Sequence, residues 1–193
     1  MAIHPLVGQA ASGVLPDWAV ANEARRAHIH RVAELLASWA DGLGLEEEER
    51  VRWLAAAYLH DALRNADPET LRRGVPPELA ALPGPLLHGP AAAERMWVEG
   101  VRDGELLRAV AYHTLGHPEL GALGRALYAA DFLEPGRDLL NSWRQGLRAR
   151  MPGDLNAVVR DVLGARITYL VGRGSPLRPE TVAFWNALVA EAP

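Results

Sequence analysis

A chain of 193 residues that is 49% hydrophobic and has no cysteine is long enough for one packed core and excludes disulfides, thiolate nucleophiles and cysteine-based zinc sites. Its 20 basic side chains, all arginine, face 24 acidic ones for a net charge of −4, so no global positive field points to nucleic acid. Residues 1–16 lack the basic start and apolar core of a signal peptide, and no run nears the roughly 18 apolar residues of a membrane span, so a soluble, cytoplasmic protein is expected.

Residues 1–16 read as an irregular segment, and 17–193 as a single all-α domain. Asp17 is the expected cap of a first helix that runs to about Asp41, where Gly42 and Gly44 stop it. The acidic run Glu46–Glu49 suits the N-terminus of a second helix, because the macrodipole favours negative charge there. That helix continues through VRWLAAAYLHDAL. Two short helices with proline near their starts follow at 67–73 and 76–82, and Pro83, Gly84 and Pro85 break the chain. Pro90 then opens a helix to Val98, and further helices are predicted over 103–114, 118–133, 137–150, 154–172 and 179–190. No segment shows sustained strand alternation.

Helical phase sorts the polar residues on these elements. His28 shares a face with Val32, Leu35, Leu36 and Trp39 and points inward. His30 sits about 200° away around the same helix, beside Arg26 and Glu34, and is a surface residue. His60 follows Trp53, Ala56 and Ala57, while Asp61 follows Leu54, Ala57 and Tyr58, so both leave the buried side of their helix. His113 after Leu106, Ala109 and Val110, and Asp131 after Gly124, Leu127 and Tyr128, repeat the pattern, and His88 precedes Gly89-Pro90 near a helix start. A single inward histidine is most often a hydrogen-bonded core residue. Five segments that each present an imidazole or carboxylate inward shift the balance toward a bound metal, and that donor set suits iron, manganese or zinc. Asp61, adjacent to a histidine ligand, can bridge two ions that activate a water and neutralise phosphate oxygens, with Arg64 and Arg137 as the nearest positive charges.

The stretches ARRAHIHRVAELLA, AAYLHDALR, LLHGPAAA, AVAYHTLGH and ALYAADFLEPGR, in this order, resemble the successive motifs of the HD-domain superfamily of metal-dependent phosphohydrolases, in its bacterial YqeK-like branch. The tail PETVAFWN is similar to that branch's C-terminal helix, so the resemblance covers about residues 20–190. It implies an all-α HD-domain helical bundle with a buried centre of two metal ions, typically iron, with manganese or another transition metal as the alternative. His28, His60, Asp61 and Asp131 would hold one ion, and Asp61, His88 and His113 the other. The implied reaction is the symmetrical hydrolysis of diadenosine tetraphosphate to two ADP by a metal-activated hydroxide, with Asp61, Arg64 and Arg137 in catalysis. Arg64, Thr114, Gly116, His117, Glu134 and Arg137 match positions that would contact the nucleotide or support the ligands, with Glu134 a candidate acceptor for a ligand histidine's second nitrogen.

The chain departs from the branch in places. Arg64 stands where HDxxK carries lysine, Leu120 stands where methionine is frequent, and residues 67–85 differ along a segment that would border the cleft. These departures keep open another nucleotide, such as a nucleoside monophosphate, or a non-catalytic nucleotide sensor. The expected partner is a small nucleotide, with no nucleic acid or membrane, and a homodimer is left open.

Overall fold

The computed structural model describes residues 3–136 and 141–191, and these form eleven α-helices and one 3-10 turn, with no strand among the described residues. The N-terminal segment corrects the irregular reading. Pro5 at the first helical position and the His4 ring, whose Nδ1 accepts from the Leu6 N–H, start α1 (Pro5–Ala11). Leu6, Val7 and Ala10 are buried from it, and their spacing by one and four residues makes one apolar face.

The second helix, α2 (Glu23–Gly42), begins about five residues later than a cap at Asp17 predicts. Asn22 is the cap, with Oδ1 accepting from the Arg25 N–H at 2.9 Å. The residues before it are held elsewhere: Val20 N–H donates to Ala62 O, and Asn65 N–H donates to Val20 O, at 2.7 and 3.1 Å. This pairing ties the entry of α2 to the turn that follows α3 (Glu47–Leu59), which packs on both α1 and α2. Ala55, Ala56 and Ala57 on α3 are fully buried, and side chains this small let neighbouring backbones approach closely.

Two short helices, α4 (Pro68–Arg73) and α5 (Pro77–Ala80), and the 3-10 turn Gly84–Leu86 lead into α6 (His88–Val98). The hairpin partner of α6 is α7 (Gly104–Tyr112), started by Asp103, which accepts from the Leu106 N–H. Gly89 explains how closely they meet, because a Cβ there would lie 2.8 Å from the carbonyls of Val110 and Ala111. The central element is α8 (Ala122–Leu133), which packs against α2, α3, α7 and α10 (Leu155–Gly172) and buries Leu123, Ala126, Leu127, Tyr128 and Ala130. Residues 118–121 precede it as loop and turn, and Leu120 is buried in the core. The remaining helices are α9 (Asn141–Arg150) and α11 (Pro179–Ala190), whose Phe184 meets Tyr128 edge-on. No described helix is long and apolar enough to cross a membrane.

Candidate metal centre

The six inward ligand candidates converge at one place, and all but His28 and Asp131 stand where a helix starts or ends. His60 and His113 cap the C-termini of α3 and α7, and His88 opens α6. Helix ends leave backbone carbonyls without partners, and the histidines use them. His60 Nδ1–H donates to Ala57 O at 2.7 Å, His88 Nδ1–H to Pro85 O at 2.9 Å, and His113 Nδ1–H to Val110 O at 2.8 Å. A carbonyl can only accept, so each Nδ1 carries the proton and each Nε2 keeps its lone pair.

His28 is set differently, by a side chain. Its Nδ1 lies 3.3 Å from Glu134 Oε1, while Glu134 Oε2 accepts from Arg31 Nε at 2.5 Å and from the Gly136 N–H at 2.7 Å. Burial works against a charge on Glu134, but His28, Arg31 and the Gly136 N–H outweigh it and hold its pKa at about 2.

All four Nε2 atoms face Asp61, and its two oxygens divide them. Oδ2 lies 3.5 Å from both His28 and His60, and Oδ1 lies 3.0 Å from His88 and 3.6 Å from His113. Asp131 Oδ1 approaches His28 Nε2 at 3.1 Å. Two sets of three donors lie within 4.8 Å of one another: His28, His60 and Asp131, and His60, Asp61 and His113. His88 joins the second by its contact with Asp61 and with His113, whose Nε2 is 3.1 Å from its own.

This arrangement fits metal ions. The Nε2 atom of His60 is buried with no hydrogen-bond partner, and that of His28 faces carboxylate oxygens of Asp131 and Asp61 rather than a donor, a costly state for a lone pair unless a cation takes it. The Nε2 lone pairs of His88 and His113 face each other, which is repulsive unless a positive centre lies between or beside them. Complete burial holds His60 down at about 4, against the pull of Asp61, so it is neutral and ready to ligate near pH 7. Burial also disfavours charge on His28, yet Asp131 and Glu134 overcome it and raise its pKa, the mark of a niche that attracts a cation. On Asp61 burial pushes upward, but the surrounding imidazoles, His60 foremost, hold the carboxyl far below its usual range.

Five of the six ligand candidates, all but the fully buried His60, line a cleft of about 580 Å³ together with Thr114 and Arg64. Thr114 Oγ1 is 3.0 Å from His113 Nε2. Pro85, the last residue of the segment that departs from the branch, and Leu86 also line it. Two sequence candidates lie elsewhere. Gly116 is a buried turn residue at φ 76°, where a Cβ would run into the Phe184 ring, and His117 packs on Tyr112 and accepts from the Glu119 N–H. Neither is among the residues that line the cleft. Arg137 lies outside the described residues. His30 is on the surface, 64% exposed at its side chain.

The sequence reading missed Arg25, Arg31 and Arg166, all of which line the cleft. Arg25 Nη1 contacts Asp61 Oδ2 at 2.5 Å. Arg25 and Arg31 stand three residues either side of His28, so helical phase placed them on its face, but arginine reads by default as surface.

The family description HD domain matches residues 25–137, the stretch that contains every ligand candidate. The chain belongs to the HD domain family. Among curated relatives it is 30% identical over 142 residues to the symmetrical bis(5'-nucleosyl)-tetraphosphatase of Halalkalibacterium halodurans, covering 70% of this chain and 75% of that one. The protein of the same description from Bacillus subtilis is 29% identical over 141 residues, with the same coverage. Among solved structures, a predicted HD superfamily hydrolase involved in NAD metabolism from Clostridium acetobutylicum superposes with a TM-score of 0.76 at 25% identity, covering 89% of this chain and 92% of that one.

Proposed function

We propose that this HD-domain hydrolase cuts diadenosine tetraphosphate symmetrically, consuming one water and forming two ADP. The observation that supports the reading is the division of Asp61 between two pairs of Nε2 lone pairs, which would suit it to be the carboxylate common to two metal ions. The relatives' shared description supports the substrate. His28, His60, Asp61 and Asp131 would hold one ion and Asp61, His88 and His113 the other; iron is the metal proposed, with manganese the alternative, since imidazole and carboxylate donors without thiolate suit both. When bound, the pair of ions supplies an activated water and neutralises phosphate oxygens.

The chain's own side chains do the rest. The three backbone carbonyls and Glu134 fix every ligand imidazole in one tautomer and one ring orientation, so the site is formed in advance of substrate. Arg64 reaches into the cleft and offsets phosphate charge, and Thr114 offers a hydroxyl beside His113. A cytoplasmic location belongs to the same reading.

Product analysis tests it. Iron- or manganese-loaded protein is expected to convert diadenosine tetraphosphate to ADP alone. Release of AMP with ATP overturns the symmetrical cut, faster release of phosphate from a nucleoside monophosphate moves the substrate, and tight nucleotide binding without turnover makes the protein a sensor.

A further inference from the structure

Four arginines line the cleft, and they are not equivalent. Arg25 and Arg31 are engaged by carboxylates of the centre, Asp61 and Glu134, at 2.5 Å each. Arg64 and Arg166 line the same cleft and make no ion pair among the described residues. A polyanion entering the cleft therefore meets two guanidinium groups whose charge is not already offset.

These two groups come from different elements of the fold. Arg64 follows Asp61 by three residues, in the turn after α3, and lines the cleft together with His88. Arg166 comes from the middle of α10, and its guanidinium carbon lies 6.0 Å from the centroid of the Tyr128 ring. Tyr128 precedes Asp131 by three residues on α8, so the two side chains share a face. Tyr128 is itself 2% exposed and fixed by its packing on Phe184, which gives Arg166 a rigid neighbour. Arg64 thus belongs to the turn that carries Asp61, and Arg166 stands beside the helix that carries Asp131.

A chain of four phosphates laid across a two-metal centre extends beyond it on both sides. The ions serve the middle, where the bond is cut. The outer phosphates need donors of their own, and the planar fork of arginine matches phosphate oxygens two at a time.

We propose that Arg166 binds the end of the phosphate chain opposite the end met by Arg64, so that a substrate charged on both sides of the scissile bond is held on both sides. The proposal rests on the dinucleoside tetraphosphate reading above. Arg166 lies beyond the stretch 25–137 that the HD domain description matches.

The test compares metal-loaded wild type with Arg166→Ala and Arg166→Lys. For Arg166→Ala the KM for diadenosine tetraphosphate is expected to rise about 10- to 100-fold, the size of a lost charge-assisted hydrogen bond. kcat should change much less, and metal content and melting temperature should match wild type. Arg166→Lys should recover part of the loss. A KM within twofold of wild type for Arg166→Ala overturns the proposal, as does a loss that tracks falling metal content or melting temperature. Calorimetric binding of inorganic tripolyphosphate to the same proteins separates this result from the substrate reading. If the wild type does not cut diadenosine tetraphosphate, that reading falls, while weaker tripolyphosphate binding by Arg166→Ala still sustains the anion site and equal binding sinks it.

Discussion

The two halves of the centre are held by different materials. On one side, His88 and His113 are both oriented by a backbone carbonyl three residues earlier, as is His60 on the other, a partner that no side-chain substitution removes. On the other side, His28 is oriented by Glu134, itself held by Arg31 and the Gly136 N–H. The same task, one tautomer and one ring angle, is done by the fold in the first half and by a side-chain network in the second. The second half is consequently the one that single substitutions can tune.

Asp61 joins the halves, and its loss should have the largest effect. Asp61→Asn keeps the shape but removes the charge facing four imidazoles, and steady-state assays are expected to find activity below detection. Residual activity within tenfold of wild type would break the shared-ligand reading.

His113→Gln should damage the backbone-oriented half first. Metal analysis is expected to find one ion lost and the other retained at His28, His60 and Asp131, with activity reduced at least about 100-fold, the scale of removing one group that stabilises developing charge. Loss of both ions together would mean the halves do not load independently.

Glu134→Gln should act through the other half only. Removing such an orienting partner typically costs about 10- to 100-fold in metal affinity or activity, and a chelator titration should show one weakened site and one unchanged. Equal weakening of both sites would erase the distinction between the halves. The smallest effect belongs to His30→Ala. This side chain is exposed, with Nδ1 3.3 Å from the Tyr58 hydroxyl and Nε2 3.5 Å from Glu34 Oε1, so activity should stay within about twofold of wild type, as is usual for surface substitutions.

Much of this was legible in the sequence because helical periodicity is a local signal. Offsets of four, seven, eight and eleven residues set His28 inward, and the same phase set His30 outward. What was not legible depends on distant partners. Asp17 is an equally good cap by type, and only the backbone pairing of Val20 with Ala62 and Asn65 holds residues 17–22 out of the helix. Gly116 and His117 stand close to His113 in sequence, yet the turn at Gly116 carries them toward Phe184 and Tyr112, away from the cleft. Arg166 reaches the centre only because α10 packs along α8, which no spacing along the chain encodes. The helix at Pro5–Ala11 did have a local signal, a proline at the first position followed by an apolar face, but it is barely two turns long.

The central claim is a two-ion centre with Asp61 common to both ions. Mass-spectrometric metal content of wild type and Asp61→Asn, purified side by side and loaded identically, tests it most directly. The account predicts two ions per wild-type chain and depletion of both in the variant; a wild type that saturates at one ion, or a variant that keeps two, would contradict it.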